Sequence, residues 1–438
     1  MCLPVNYASV VRLCLTVGLL SGPAPSQSIA GIWQGTLAGP TPERIVLTVA
    51  EGADHQLSCG LDAVDHALKY SVACSYQGAA LKVTVPENGA SYEGTLAEGG
   101  RSITGIWKWH ASDKGMQLLL QHSNAQASWL ADRTAHKAFF VTVEPGVNLE
   151  VLDWGGSGRP LVLLAGLGDN AHVYDSIAPK LSSRYHVYGV TRRGFGASSA
   201  PEPVWQNYSA DRLGDDVIAV LDELKLTRPI LVGHSIAGEE LSSIGSRFPS
   251  RVSGLIYLDA GSSYAIYVHS PQSLLVDWNE MRNQVDAITN APTPQLQTTL
   301  IHRMLEVELP QYQQELKDRA AFLKGLPDQQ PPSEQVTRSV TFRIVRAVHN
   351  GEQRYTQIKC PLLAIFTEPE PAAAPGGSAS QAARDAASQR SLQEQENAFE
   401  ALGPVAHVLV IKGGSHYIFR SKEADVLEDI EKFVAGLP

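Results

Sequence analysis

Positive charge is the first thing in short supply: 35 Lys plus Arg face 45 Asp plus Glu, a formal net charge of -10. A surface of that sign repels phosphate backbones and anionic lipid, so neither nucleic acid nor a charged membrane face is an expected partner. Long apolar runs are missing as well. The one near the N-terminus, Leu13-Cys-Leu-Thr-Val-Gly-Leu-Leu20, is too short to cross a bilayer, and no comparable segment follows. Stable membrane insertion is therefore not expected. Cysteine is rare, with five in the chain, and none directly follows that run, which argues against a lipoprotein anchor.

The same run has a use. Arg12 precedes it and the breakers Ser21-Gly-Pro-Ala-Pro-Ser26 follow, so residues 1–27 read as an export signal to the periplasm or medium. Cleavage would remove Cys2 and Cys14 and leave Cys59, Cys74 and Cys360. Cys59 and Cys74 fall in neighbouring strand-like segments and can pair in an oxidising compartment. Cys360 stays single, just ahead of a strand.

A chain of 438 residues with 44% hydrophobic and 18% charged content is a soluble globular protein of two or three domains. Residues 28–123 alternate short apolar and polar runs between Gly, Pro and Asn turns. Arg44-Ile-Val-Leu-Thr-Val49, Ala80-Leu-Lys-Val-Thr-Val85 and Met116-Gln-Leu-Leu-Leu-Gln121 are examples. Such spacing predicts a small antiparallel sheet or barrel. Gly31-Ile-Trp-Gln-Gly-Thr-Leu37 is echoed by Tyr92-Glu-Gly-Thr-Leu96 and Gly105-Ile-Trp-Lys-Trp109, which resembles a lipocalin-like β-module. Trp33 and Trp107 are read as core residues, and the module offers no nucleophile and no metal cluster.

Beyond a polar link (124–137) the pattern becomes strand–helix alternation over 138–261 and 358–438. That predicts a mostly parallel sheet, doubly wound and covered on both faces. Residues 262–357 interrupt it. Helices around Leu296 and Leu300, from Met304 to Leu323 and from Val336 to Val348 suggest a cap inserted between two strands. Pro369 to Ser391, rich in Ala, Pro, Gly, Ser and Gln, reads as a loop running into a helix.

The chemistry is expected around Pro229-Ile-Leu-Val-Gly-His-Ser-Ile-Ala-Gly238. Ser235 follows a buried apolar strand and opens a helix. A helix-capping serine fits that description, but so does a nucleophile on a sharp turn, which requires small residues two positions either side. Here those are Gly233 and Ala237. Lys412-Gly-Gly-Ser-His-Tyr417 supplies a histidine in a glycine-rich loop after the last strand, within reach of that serine. Leu164-Ala-Gly-Leu-Gly-Asp169 ends a strand in a turn able to aim an N–H at an oxyanion.

Together with Arg192-Arg-Gly-Phe-Gly-Ala-Ser198, these pieces make residues 138–438 resemble the α/β-hydrolase fold superfamily, as a serine esterase with a helical cap. The resemblance implies Ser235 as nucleophile, His416 as base and the backbone N–H groups of Leu167 and Ile236 as the oxyanion hole. It implies an ester as small-molecule substrate, with no metal and no organic cofactor. A serine argues against haloalkane dehalogenase and epoxide hydrolase chemistry, which needs a carboxylate nucleophile. Aminopeptidase, lactonase and thioesterase activities remain open, as does a catalytically silent binding protein. The acid is expected at Asp259, closing the strand Leu255-Ile-Tyr-Leu258. Glu370 and Glu368, after the following strand, are the alternatives. A rival reading takes Gly166, Gly168 and Ala171 as a dinucleotide fingerprint served by Arg192 and Arg193.

Overall fold

The computed structural model describes residues 28–37, 43–52, 56–64, 68–86, 89–109, 115–124, 136–269, 273–324, 340–368 and 379–438. The expected export signal and Glu370 lie outside them.

The first eight strands close into an antiparallel barrel: β1 (Gly31–Leu37), β2 (Glu43–Glu51), β3 (Leu57–Ala63), β4 (Leu68–Gln77), β5 (Ala80–Thr84), β6 (Ser91–Leu96), β7 (Ser102–Lys108) and β8 (Met116–Ser123). Each strand pairs with the next, and β1 returns to β8, Ile32 opposite Ser123. The alternation seen in the sequence is the inside–outside alternation of the wall, as in β6, where Tyr92, Gly94 and Leu96 are buried between more exposed neighbours. Trp33 and Trp107 are both 1% exposed, and with Tyr92 they fill the interior. Tyr92 crosses it, its hydroxyl donating to the carbonyls of Ile103 (3.1 Å) and Leu118 (3.2 Å). The repeated glycine has a steric cause. A Cβ at Gly105 would stand 2.2 Å from the Glu93 carbonyl oxygen across the β6–β7 pair. Cys59 on β3 and Cys74 on β4 form a disulfide.

The second sheet has eight strands. In chain order these are β9 (Lys137–Glu144), β10 (Val147–Gly155), β11 (Pro160–Leu164), β12 (His186–Val190), β13 (Ile230–His234), β14 (Gly254–Leu258), β15 (Leu362–Glu368) and β16 (Ala406–Lys412). Their spatial order is β16-β15-β14-β13-β11-β12-β10-β9. The β9–β10 hairpin is antiparallel, and the strands from β11 to β16 are parallel to one another. The chain leaves β11 for β12 on one side and returns to β13 on the other, so the carboxyl ends of β11 and β13 flank the point where strand order reverses. Crevices in open α/β sheets form there.

Helices α1 (Ala178–Leu181), α2 (Ala210–Glu223) and α3 (Gly238–Arg247) connect these strands. Between β14 and β15 come α4 (Leu274–Thr289), α5 (Pro294–Arg303), a π-helical turn (Met304–Glu308), α6 (Leu309–Lys324) and α7 (Val340–His349). Then follow α8 (Ala379–Glu400), α9 (Ile418–Ser421) and α10 (Glu423–Ala435). Two corrections to the sequence reading arise here. Helix α4 was not anticipated, although Leu274, Trp278, Met281, Val285 and Ile288 recur at helical spacing. The stretch Pro369 to Ser391, read as a loop running into a helix, is helical already from Ala379. Ala, Gln and Arg are strong helix formers, and low complexity masked that propensity. One core packs on each face of this sheet, with Val162, Leu231 and Leu255 in one and Leu161, Val232 and Ile256 in the other.

Candidate active site

Strand β13 delivers Ser235 in a left-handed backbone conformation, φ 54°, which an L-residue tolerates only when its surroundings force it. The forcing is visible at Gly233. A Cβ there would lie 2.9 Å from Leu241 Cδ1 and 3.1 Å from Ala237 Cβ, so α3 passes β13 too closely for any side chain. Ala237, at the second small position, is the methyl that this gap accepts.

Ser235 Oγ lies 2.9 Å from His416 Nε2, and His416 Nδ1 lies 2.7 Å from Asp259 Oδ2. Because a carboxylate only accepts, the ring proton belongs on Nδ1, leaving Nε2 to accept from the serine hydroxyl. The other Asp259 oxygen, Oδ1, accepts from the Thr367 N–H at 3.2 Å. Asp259 follows β14 and also has positive φ, 47°. His416 sits in the loop after β16 with its side chain half exposed at 52%. Four strand ends thus contribute: the turn after β11, Ser235, Asp259 and the His416 loop.

Of the three acids considered, Asp259 joins this chain and Glu368 does not. Glu368 ends β15 opposite Lys412, 3.8 Å away, with its backbone carbonyl accepting from Gly413 N–H. The side chains of Leu167 and Ile236, the residues expected to supply the oxyanion donors, pack together in one apolar cluster with Phe195, Ile344 and Val348.

Several residues at the site were not singled out in the sequence. His234, one position before Ser235, is buried and donates from Nε2 to the backbone carbonyl of His416 at 2.9 Å. Its ring meets His416, Tyr417 and Phe419 at centroid distances of 4.6, 4.8 and 5.1 Å. Burial, then the neighbouring His416, pull its pKa down to about 4, so it is neutral. Tyr264 lies close to Ser235, and burial raises the pKa of its hydroxyl. Glu239, in the first turn of α3, is fully buried, and neither carboxyl oxygen has a hydrogen-bond partner. Desolvation, reinforced by Glu240 and Glu352, holds its pKa well above the ordinary range. Adjacency to the serine motif was the only signal for His234 and Glu239.

The dinucleotide reading loses its anion ligands. Arg192 and Arg193 are buried, bound to Glu240 and to Asp216 with Glu144, respectively. Among the described residues, two groups of side chains could bring three metal-ligating atoms within 4.8 Å of one another: His136, His172 and Asp175, and His269, Asp277 and Glu315. Neither includes a member of the Ser235 chain. His172 already contacts Asp175 at 3.1 Å, and Asp277 binds Arg354 at 2.6 Å.

A doubly wound sheet carrying a serine, a histidine and a carboxylate at its carboxyl edge defines a class of hydrolase. The family model for the alpha/beta hydrolase fold matches residues 159–397, and the chain belongs to that family. Among curated proteins it is similar to a fluoroacetate dehalogenase from Burkholderia sp, 34% identical over 115 residues, which is 26% of this chain and 38% of that protein. It is also similar to bifunctional epoxide hydrolase 2 from Mus musculus, 26% identical over 167 residues, 34% of this chain and 30% of the other. The matched stretches therefore span well under half of those relatives. A solved E-2-(acetamidomethylene)succinate hydrolase is 20% identical, with a TM-score of 0.40 over 69% of this chain and 100% of that one.

Proposed function

We propose that the protein hydrolyses a carboxylic ester by acyl transfer through Ser235. The hydrogen-bonded series Ser235–His416–Asp259, at 2.9 and 2.7 Å, carries this reading. His416 Nε2 takes the Ser235 proton as Oγ attacks the ester carbon. The carbonyl oxygen becomes an oxyanion, held by the N–H groups of Leu167 and Ile236. Collapse expels the alcohol, which leaves with the proton from His416. Water then attacks the acyl-serine by the same route, with His416 again the base. Asp259 holds the ring with Nε2 toward the serine and offsets the imidazolium charge. The helices between β14 and β15 cap the crevice and shape its specificity.

The serine argues against the dehalogenase and epoxide hydrolase activities in two of the relatives' names. The carboxylate-nucleophile route to halide or epoxide displacement has no counterpart at residue 235. The disulfide in the barrel supports an exported protein, since such bonds persist in oxidising compartments.

The test is turnover of a short p-nitrophenyl ester, with inactivation by a serine-directed phosphonate. Ser235→Ala and His416→Ala should each lower kcat by roughly three to six orders of magnitude, and the double variant should lose little more. A single variant retaining a tenth of the activity would sink the assignment. Lactone, thioester and aminoacyl anilide substrates run beside the ester would identify the preferred acyl donor.

A further inference from the structure

The turn after β11 has to point one particular N–H into the site, and its carbonyls reveal how it is held. The Leu164 carbonyl accepts from the Tyr174 hydroxyl at 2.7 Å. The next two, Ala165 and Gly166, accept from a single side chain: Arg192 donates from Nη2 to Ala165 O at 2.9 Å and from Nη1 to Gly166 O at 3.1 Å. The same guanidinium grips Glu240 with Nε and Nη2, both at 2.7 Å. Arg192 and Glu240 are only 4% and 3% exposed.

Three facts of geometry follow. In a trans peptide the carbonyl of one residue and the N–H of the next point in opposite directions. Holding the Gly166 carbonyl therefore fixes the Leu167 N–H on the opposite side of that plane. Second, Glu240 lies in the first turn of α3, the helix that begins just after Ile236. Third, a guanidinium is planar and rigid, so a fork seated on one carboxylate determines where its remaining donors lie.

We propose that Arg192 is a positioning residue for the oxyanion hole: with Glu240 it clamps the turn bearing Leu167 to the helix bearing Ile236, fixing the spacing of the two N–H donors. The proposal rests on the ester reading above. Buried ion pairs are often no more than structural, and the adjacent arginine serves as the internal comparison. Arg193 is buried and paired as tightly, with Asp216 at 2.5 Å and Glu144 at 2.8 Å. It donates to Asn207 O at 3.2 Å, away from the oxyanion turn. Position 192 is coupled to the donors and position 193 is not.

The distinction is measurable because oxyanion donors act on the transition state and hardly on the bound substrate. Arg192→Lys keeps the charge but loses the fork. In the full-length protein it should lower kcat on p-nitrophenyl butyrate by about ten- to a hundredfold, below the 10²–10³ typical of deleting a donor outright. KM should stay within about twofold, and affinity for a trifluoromethyl ketone, whose adduct carries the oxyanion, should fall in step with kcat/KM. Glu240→Gln should move the same quantities in the same direction by less. Arg193→Lys should lower the melting temperature and leave kcat and ketone affinity within about twofold. Should Arg192→Lys fail to fold, Glu240→Gln decides the matter through its ketone affinity. Unchanged kcat and ketone affinity in the folded position-192 or position-240 variant, or an equal kcat loss in Arg193→Lys, overturns the proposal. Wild-type protein with no Ser235-dependent turnover would instead remove the ester reading beneath it.

Discussion

His234 and Glu239 flank the serine motif with opposite electrostatic habits. His234 is neutral in the fold because burial and His416 lower its pKa to about 4. An unfolded histidine titrates near 6.5, so the unfolded state binds the extra proton first as pH falls. Stability from this group is present above about 6.5 and is lost as pH drops through about 4. His234→Gln, which retains a donor for the His416 carbonyl, should flatten the dependence of melting temperature between pH 6.5 and 4. An unchanged slope would show that the ring does not titrate as described. Glu239 has the opposite sign. Its raised pKa keeps it protonated in the fold while the unfolded chain ionises near 4.3, so stability falls as pH rises beyond that point. Glu239→Gln should therefore gain melting temperature over wild type at pH 8 and not at pH 4. Equal differences at both values would contradict it. Neither behaviour was legible in the sequence, since a residue letter does not report the partners that burial withholds. Ser235 and His416 were legible because small residues around each of them are demanded by close chain passage.

At the scale of elements, the strand that bears a carboxylate decides more than its letter. Strand β14 lies directly beside β13, so a residue at its end stands next to the serine turn. Asp259 occupies the Nδ1 side of His416, while Glu368 is drawn along β15 toward Lys412. Asp259→Asn should lower kcat by roughly two to four orders of magnitude at neutral pH, with a smaller effect on KM. Glu368→Gln, in solvent-screened surroundings, should lose less than about tenfold. Comparable losses in both would mean that charge at the sheet edge matters rather than a defined partner. The inner strands β11, β13, β14 and β15 read as apolar runs, because burial on both faces leaves little else to write there. The inserted helices were read less well. Trp278 and Val285 in α4 and Leu305 and Leu309 near α6 are exposed, so the apolar stripe does not map onto one buried face.

For the whole molecule, the barrel and the doubly wound sheet have separate cores. The Cys59–Cys74 bridge, with a sequence separation of 15, belongs to the barrel alone. On the chain-entropy estimate a loop of that size contributes about 3 kcal/mol. Peptide mapping of the non-reduced exported protein should recover the linked pair and a free Cys360 thiol. Cys59→Ala with Cys74→Ala should lower barrel stability while kcat stays unchanged. Free thiols at both positions would count against the proposed export. An intact residue 1–27 segment would do the same.

The closure of β1 onto β8 sets Ile32 directly opposite Ser123. Chain therefore enters and leaves the barrel at adjoining points, as a cable enters and leaves a drum through one port. A gene segment encoding such a unit can be gained, lost or exchanged in a single recombination event, because no strand of one sheet is threaded through the other. The two halves are free to diverge at different rates, each under its own selection. Grafting the barrel onto an unrelated protein is then an exercise in joining two ends that already sit side by side.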